Sequence, residues 1–239
     1  MYKLIDNFFS KDECNTAIDE VTHNQPLWYR CNETGMYILG NSFLRNKFNN
    51  YQDRNTYNFY TTLLFKEKLL TIFSKVELAR RLANPGFQII KRNETRKPAV
   101  WHYDNAIHCF PYEIEFAEYC KNFNDFFEKS YVFTLMLSDG IASFDYHPKT
   151  KSKFCDNGDQ TPSRPICESH TDLVGDNCAN KDCQLTEFQT VNYKQGSLLI
   201  QDERYLHRVG YKDINGTATN RITLNGYGVV KNEIMYLFW

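Results

Sequence analysis

Trp101-His102-Tyr103-Asp104-Asn105 contains a His-x-Asp pair, a spacing that can bring two metal-ligating side chains to one ion. On a β-strand, residues i and i+2 share a face, so His102 and Asp104 can converge while a distant His completes a triangle. His207, in Tyr205-Leu206-His207, is the candidate for that third position. Two imidazoles and one carboxylate, with the remaining positions open, suit a non-haem Fe(II) that must bind oxygen and a co-substrate. Alone, His-x-Asp is a weak signal, because it arises by chance in many chains. A single His near a strand end is ordinarily a surface or satisfied core residue.

The downstream residues sharpen the reading. Gly196-Ser197-Leu198-Leu199-Ile200 is a turn glycine followed by an apolar run, which predicts a buried strand. His207 follows within a few residues. After an Asn215-Gly216-Thr217 turn comes Arg221-Ile222-Thr223-Leu224, an alternating, β-prone segment. Arg221 and Thr223 are again two apart and share a face. A guanidinium beside a hydroxyl makes a clamp for a carboxylate, because its fork offers two parallel charge-assisted hydrogen bonds. For Arg221 alone, a structural salt bridge is the default. Its position after a candidate ligand and before a hydroxyl favours the clamp.

The order His-x-Asp, Gly-x-Leu-Leu-Ile, His, Arg-x-Thr resembles the Fe(II)- and 2-oxoglutarate-dependent oxygenase superfamily, over roughly residues 85–230. The His-x-Asp-Asn form is similar to the prolyl-hydroxylase-like branch. The resemblance implies iron held by His102, Asp104 and His207, with Arg221 and Thr223 on the far carboxylate of 2-oxoglutarate. It also implies O2 as co-substrate and oxidation of an unactivated C–H bond. Asp104 fills the coordination position that halogenating relatives leave to chloride, which favours hydroxylation over halogenation. A small amino-acid-like or peptidyl substrate is expected on resemblance alone. Two features depart from the family pattern: the long stretch from Asp104 to His207 and the wide gap from His207 to Arg221. A different class stays open, either a non-catalytic metal-binding cupin-like module or a zinc-stabilised interaction domain. Arg221-Ile222-Thr223 discriminates, since a barrel without turnover has no need of a carboxylate clamp.

Composition bounds the rest. With 239 residues, 42% hydrophobic and 15% aromatic, the chain has ample material for a core and reads as one domain. A net charge of -1 gives no field favouring nucleic acid or an anionic membrane. No apolar run approaches the ~18 residues of a membrane span, and no leader is apparent, so a cytoplasmic protein is expected. Of the eight cysteines, Cys155, Cys167, Cys178 and Cys183 cluster in one polar segment without a Cys-x-x-Cys knuckle. That makes zinc a weak reading, and free or partly paired thiols are expected.

The elements that must position these residues can be read in outline. Ser10-Lys11-Asp12-Glu13 is a capping box, and Cys14, Ala17, Ile18 and Val21 repeat at helical spacing, predicting a helix over 11–22. Loops and short strands are expected over 24–56. One long or two shorter helices are expected over 57–83, stopped by Asn84-Pro85-Gly86, so that residues 1–84 form a helical support. Strands are expected near 87–90, on the approach to His102, and at 131–137, 187–193, 198–201, 209 and 221–230. A Phe-rich helix is expected over 112–129. Residues 145–184 are rich in turn formers and read as an insertion outside the core, a candidate lid. Residues 235–239 form an apolar tail that packs down. Helices followed by many strands predict a mainly β fold with flanking helices. Closed as a jelly roll or cupin-like double-stranded β-helix, it brings residues 102 and 207 to one mouth.

Overall fold

The computed structural model describes residues 2–23, 29–30, 36–40, 60–79, 87–92, 129–151, 188–202, 205–209 and 221–238. The strands are β1 (Tyr2–Ile5), β2 (Tyr29–Arg30), β3 (Met36–Gly40), β4 (Val76–Ala79), β5 (Phe87–Arg92), β6 (Lys129–Met136) and β7 (Ile141–Lys151). They continue as β8 (Gln189–Lys194), β9 (Leu198–Asp202), β10 (Tyr205–Val209), β11 (Arg221–Lys231) and β12 (Ile234–Phe238). Two helices, α1 (Lys11–His23) and α2 (Tyr60–Leu69), complete the described elements.

A large sheet runs β1-β9-β6-β11-β5-β3-β2, and a small sheet runs β10-β7-β8. From β6 onward the chain passes between them: β7 and β8 lie in the small sheet, β9 in the large, β10 in the small and β11 in the large. This winding is that of a double-stranded β-helix, mainly β with helices on one flank, as the patterning predicts. Long strand β11 organises the large sheet. Along one edge it pairs with β6, and along the other it pairs first with β5 and then with β12.

Alternation along β11 sets the two faces. Ile222 and Leu224 enter an apolar core with Leu135, Leu198 and Ile200, covered by Phe8, Phe9, Cys14 and Ala17 at the start of the chain and by Phe65 and Leu69 of α2. Residues on the other side of the same strands face the small sheet. There Met136 and Leu199 pack with Ala142, Phe144, Tyr146, Val191 and Tyr193.

The helical layer is held by charge as well as by apolar contact. The Ser10 amide donates to Glu13 Oε2 (2.6 Å), and the Glu13 amide donates back to Ser10 Oγ (3.2 Å), closing the capping box. Near the other end of α1, Glu20 accepts from the Thr61 amide (2.9 Å) and hydroxyl (2.6 Å), capping the N-terminus of α2. Lys68 returns along α2 to pair with Glu13 at 2.7 Å. Burial pushes the Glu13 carboxyl up, but Lys68 and the Ser10 contacts together outweigh it and hold it below the ordinary carboxylate range.

Several elements differ from expectation. Helix α2 ends at Leu69, and Val76–Ala79 is a strand paired in parallel with β12. The whole stretch 57–83, rich in Leu, Phe, Lys and Glu, reads as helical, and only the tertiary partner makes Val76–Ala79 β. Residues 2–5 form an edge strand on β9. The apolar tail is an antiparallel partner of β11 with Met235 and Leu237 buried. Strand β7 runs to Lys151, through the first seven residues of the expected insertion. The remainder of that insertion, residues 112–128 of the expected helix and the four clustered cysteines lie outside the described residues, and Lys129 begins β6. Cys14 is buried and free, its thiol pushed up to about 11 by burial and then by Glu13. Among the described residues no helix is long and apolar enough to cross a membrane.

The turn from β8 to β9 is the tightest point. The Ser197 amide donates to the Lys194 carbonyl (2.9 Å), and Gly196 has φ +78° at the position where a type II turn requires it. A Cβ there would lie 2.2 Å from the Phe9 carbonyl oxygen. Gly196→Ala should therefore destabilise the fold by more than about 2 kcal/mol, read as a lowered urea midpoint. Glu13→Gln should lose about 0.5–1 kcal/mol at neutral pH. A carboxyl held low in the fold stabilises above its unfolded range, and that stabilisation is lost as pH falls through its folded value. The difference between Glu13→Gln and the parent should thus close on acidification, measured by urea unfolding at a series of pH values.

Candidate functional site

His207 lies on β10 opposite Tyr146 of β7 and is only 3% exposed. Its ring stacks on Phe144, with centroids 5.2 Å apart and planes 28° from parallel. Nδ1 lies 2.9 Å from the Tyr205 carbonyl oxygen. A carbonyl only accepts, so Nδ1 carries the proton, and the neutral ring then presents a lone pair at Nε2. This is the arrangement that metal-ligating imidazoles adopt, in which the non-ligating N–H is held by a carbonyl or carboxylate. Facing Nε2 at 3.3 Å is the amide nitrogen of Gln201, on β9 of the opposite sheet. Gln201 is 5% exposed, so the contact is buried between the two layers.

The large sheet carries Gln201 and the sequence-predicted clamp on one face. Gln201 is in register with Val132, Leu199 with Thr134, and Thr134 in turn with Asn225 of β11. Thr223, two residues before Asn225, is 2% exposed and stands opposite Met136. Arg221 follows on the same face, half-buried, opposite Arg92 of β5. Ile222, between Arg221 and Thr223, enters the helix-side core. Arg221 and Thr223 therefore belong to the side of the large sheet that looks toward the small sheet and His207. Asn225 adds a buried Oδ1 that accepts no hydrogen bond among the described residues.

Aromatic groups line the small-sheet side. Tyr2 meets Tyr146 edge-on at 4.8 Å, and the Tyr146 hydroxyl donates to Gln189 Oε1. Burial, with the neighbouring Tyr2 and Tyr205 phenols, raises the Tyr146 hydroxyl above its usual range, so it remains protonated and donating at neutral pH. Phe144, stacked on the imidazole, keeps water from that face of the ring, where polar contacts gain strength.

Of the sequence-predicted residues, Arg221 and Thr223 lie on the face of the large sheet turned toward the small sheet, and His207 is buried on the small sheet. His102 and Asp104 lie outside the described residues, and no three His, Cys, Asp or Glu side chains among the described residues converge to hold a metal. The donor chemistry of His207 fits a metal. Sequence reasoning missed Gln201, Phe144 and Asn225. Asn225 carries a faint signal, a polar residue two positions after Thr223 in an alternating strand, whereas Phe144 and Gln201 carry none that marks a site.

If the Tyr205 carbonyl sets the tautomer, long-range 15N–1H NMR of the metal-free protein should show His207 protonated at Nδ1 and bare at Nε2. An Nε2-protonated ring would remove it as a ligand in this orientation.

No family model matches the sequence, and no curated protein matches it. Solved structures do share the fold. HygX from Streptomyces hygroscopicus, with nickel and 2-oxoglutarate bound, gives a TM-score of 0.53 at 14% identity, covering 95% of this chain and 81% of that one. The iron-bound form of HygX gives 0.51 with the same identity and coverage. The non-haem α-ketoglutarate-dependent carbocyclase SnoK from nogalamycin biosynthesis gives 0.51 at 11% identity, covering 95% of this chain and 79% of that one. At such identity the likeness is one of fold: this chain is built on the same double-stranded β-helix as these enzymes.

Proposed function

We propose that the chain is a cytoplasmic Fe(II)- and 2-oxoglutarate-dependent dioxygenase that hydroxylates a small amino-acid-like or peptidyl substrate. The observation that carries the reading is His207, buried between the sheets with its Nε2 lone pair turned inward by the Tyr205 carbonyl. The order of motifs and the shared fold support it.

His102, Asp104 and His207 would hold the iron, and Arg221 with Thr223 the distal carboxylate of 2-oxoglutarate. When bound, iron with 2-oxoglutarate and O2 supplies the oxidising power for an unactivated C–H bond. The protein's work is ligation, orientation and exclusion of water. Phe144 fixes the plane of the His207 imidazole. The buried Thr223 hydroxyl adds a neutral donor beside the Arg221 fork, so a carboxylate meets both charge and direction. Asn225, two residues after Thr223, shares the same face of β11.

Under anaerobic conditions, Fe(II) with 2-oxoglutarate should give the weak visible charge-transfer band of the chelate. No band at saturating concentrations would overturn the assignment in favour of a binding module. Arg221→Ala should weaken 2-oxoglutarate roughly 10- to 100-fold, the scale of a lost charged hydrogen-bond pair, while metal affinity changes far less. Equal loss of both would indicate a folding defect and reject the clamp.

A further inference from the structure

The His207–Gln201 contact has a consequence for how a metal enters. We propose that Gln201 is a positioning residue of the centre. Its amide occupies the His207 Nε2 lone pair when metal is absent and turns to an oxygen of the co-substrate once metal takes that lone pair. This rests on the reading of His207 as a ligand.

The Nε2 atoms of Gln201 and His207 are 3.3 Å apart. With Nδ1–H committed to the Tyr205 carbonyl, His207 Nε2 offers only a lone pair, so the amide N–H is the donor. One lone pair cannot serve an N–H and a metal together, and a metal bound at ~2 Å displaces the amide. The backbone of Gln201 cannot retreat to make room. Strand β9 is paired on both sides, with Tyr2 opposite Gln201 on β1 and Val132 opposite it on β6. Only the side-chain torsions can respond.

The three residues of β9 before Gln201 are apolar, with Leu198, Leu199 and Ile200 all buried. An amide in such a strand is costly unless its N–H has an acceptor. Once displaced, that N–H is still inside the site, where the proposed reaction places carboxylate and keto oxygens. A charged acceptor there makes a stronger hydrogen bond than the neutral imidazole. Metal binding alone therefore loses a hydrogen bond, and co-substrate binding returns one. The two affinities are coupled through Gln201, and the coupling is reciprocal.

The test uses the full chain and Co(II) as an unreactive probe, titrated with and without 2-oxoglutarate. Gln201→Leu removes the donor at similar volume. Co(II) alone should bind about two- to tenfold more tightly than in the parent, and 2-oxoglutarate should bind the Co(II)-loaded variant about two- to tenfold more weakly, the scale of one buried hydrogen bond. A merely structural role would lower both affinities or move neither, and either result overturns the inference. Gln201→Met, of the same length and also without a donor, gives the same readout if the Leu variant fails to fold. His207→Ala separates the two levels. If it abolishes Co(II) binding while the Gln201 variants bind like the parent, only this inference falls. If it leaves Co(II) binding intact, the ligand assignment falls and takes this inference with it.

Discussion

The close approach at Gly196 is the constraint on which the rest of the structure depends. The Gly196 amide donates to the Met136 carbonyl (2.8 Å), and its own carbonyl accepts from the Phe9 amide (3.1 Å). One residue thus ties the end of β6, the segment leading into α1 and the turn between the two sheets. The Ser197 hydroxyl extends the junction by donating to Asp6 (2.8 Å). Strand β9 starts at this point, so its register against β6 follows from it, and the register decides which face Gln201 presents. A slip of one residue would turn Gln201 to the helix side and Ile200 to the site. A backbone position with no room for a Cβ is therefore upstream of the geometry around His207.

The two faces of the large sheet divide the labour. Toward the helices the core is almost wholly apolar, built from Phe, Leu, Ile and Val with the buried Cys14. Toward the small sheet, buried apolar residues alternate with Gln201, Thr223 and Asn225. Polar groups removed from water need partners, and sites that keep some for a ligand are less stable for it. The helix-side core is the apolar face of the same sheet. The Glu20 cap and the Glu13–Lys68 pair hold the helices over it without placing any charge in the interior.

Much of the fold is legible in the sequence wherever local pattern and tertiary role agree. The capping box at Ser10 starts α1 where expected, and the strands at β5, β6, β8, β9 and β11 follow apolar or alternating runs. Legibility fails where a partner decides. Val76-Glu77-Leu78-Ala79 favours helix by composition, but β12 beside it makes it a strand. Strand β7 continues past Tyr146 through His147, Pro148 and Lys149, residues whose turn-forming character conceals a strand set in register with Tyr205 of β10 at Lys151. In the candidate site, His207, Arg221 and Thr223 are legible by their order along the chain. Gln201 is silent because a glutamine closing Leu-Leu-Ile-Gln reads as a strand running out to solvent. Its burial comes from the small sheet, where His207 faces it, and from its place between β6 and β1, whose Tyr2-Lys3-Leu4-Ile5 is too short to declare itself.

The precision at His207 comes from its own strand as much as from its neighbours. Tyr205, two residues earlier on β10, supplies the carbonyl that holds Nδ1, at a point where the pairing of β10 with β7 shifts register between Tyr205 and His207. In a regular ladder, strand carbonyls point to neighbouring strands, so a carbonyl turned to a side chain needs such an irregularity. The shift thus both interrupts the ladder and frees an acceptor for the imidazole. Phe144, from the strand opposite, then limits the ring to one plane. An imidazole fixed in tautomer and in plane loses little further freedom when its lone pair changes partner, so the proposed exchange between amide and metal would be governed by bond strength rather than by ordering.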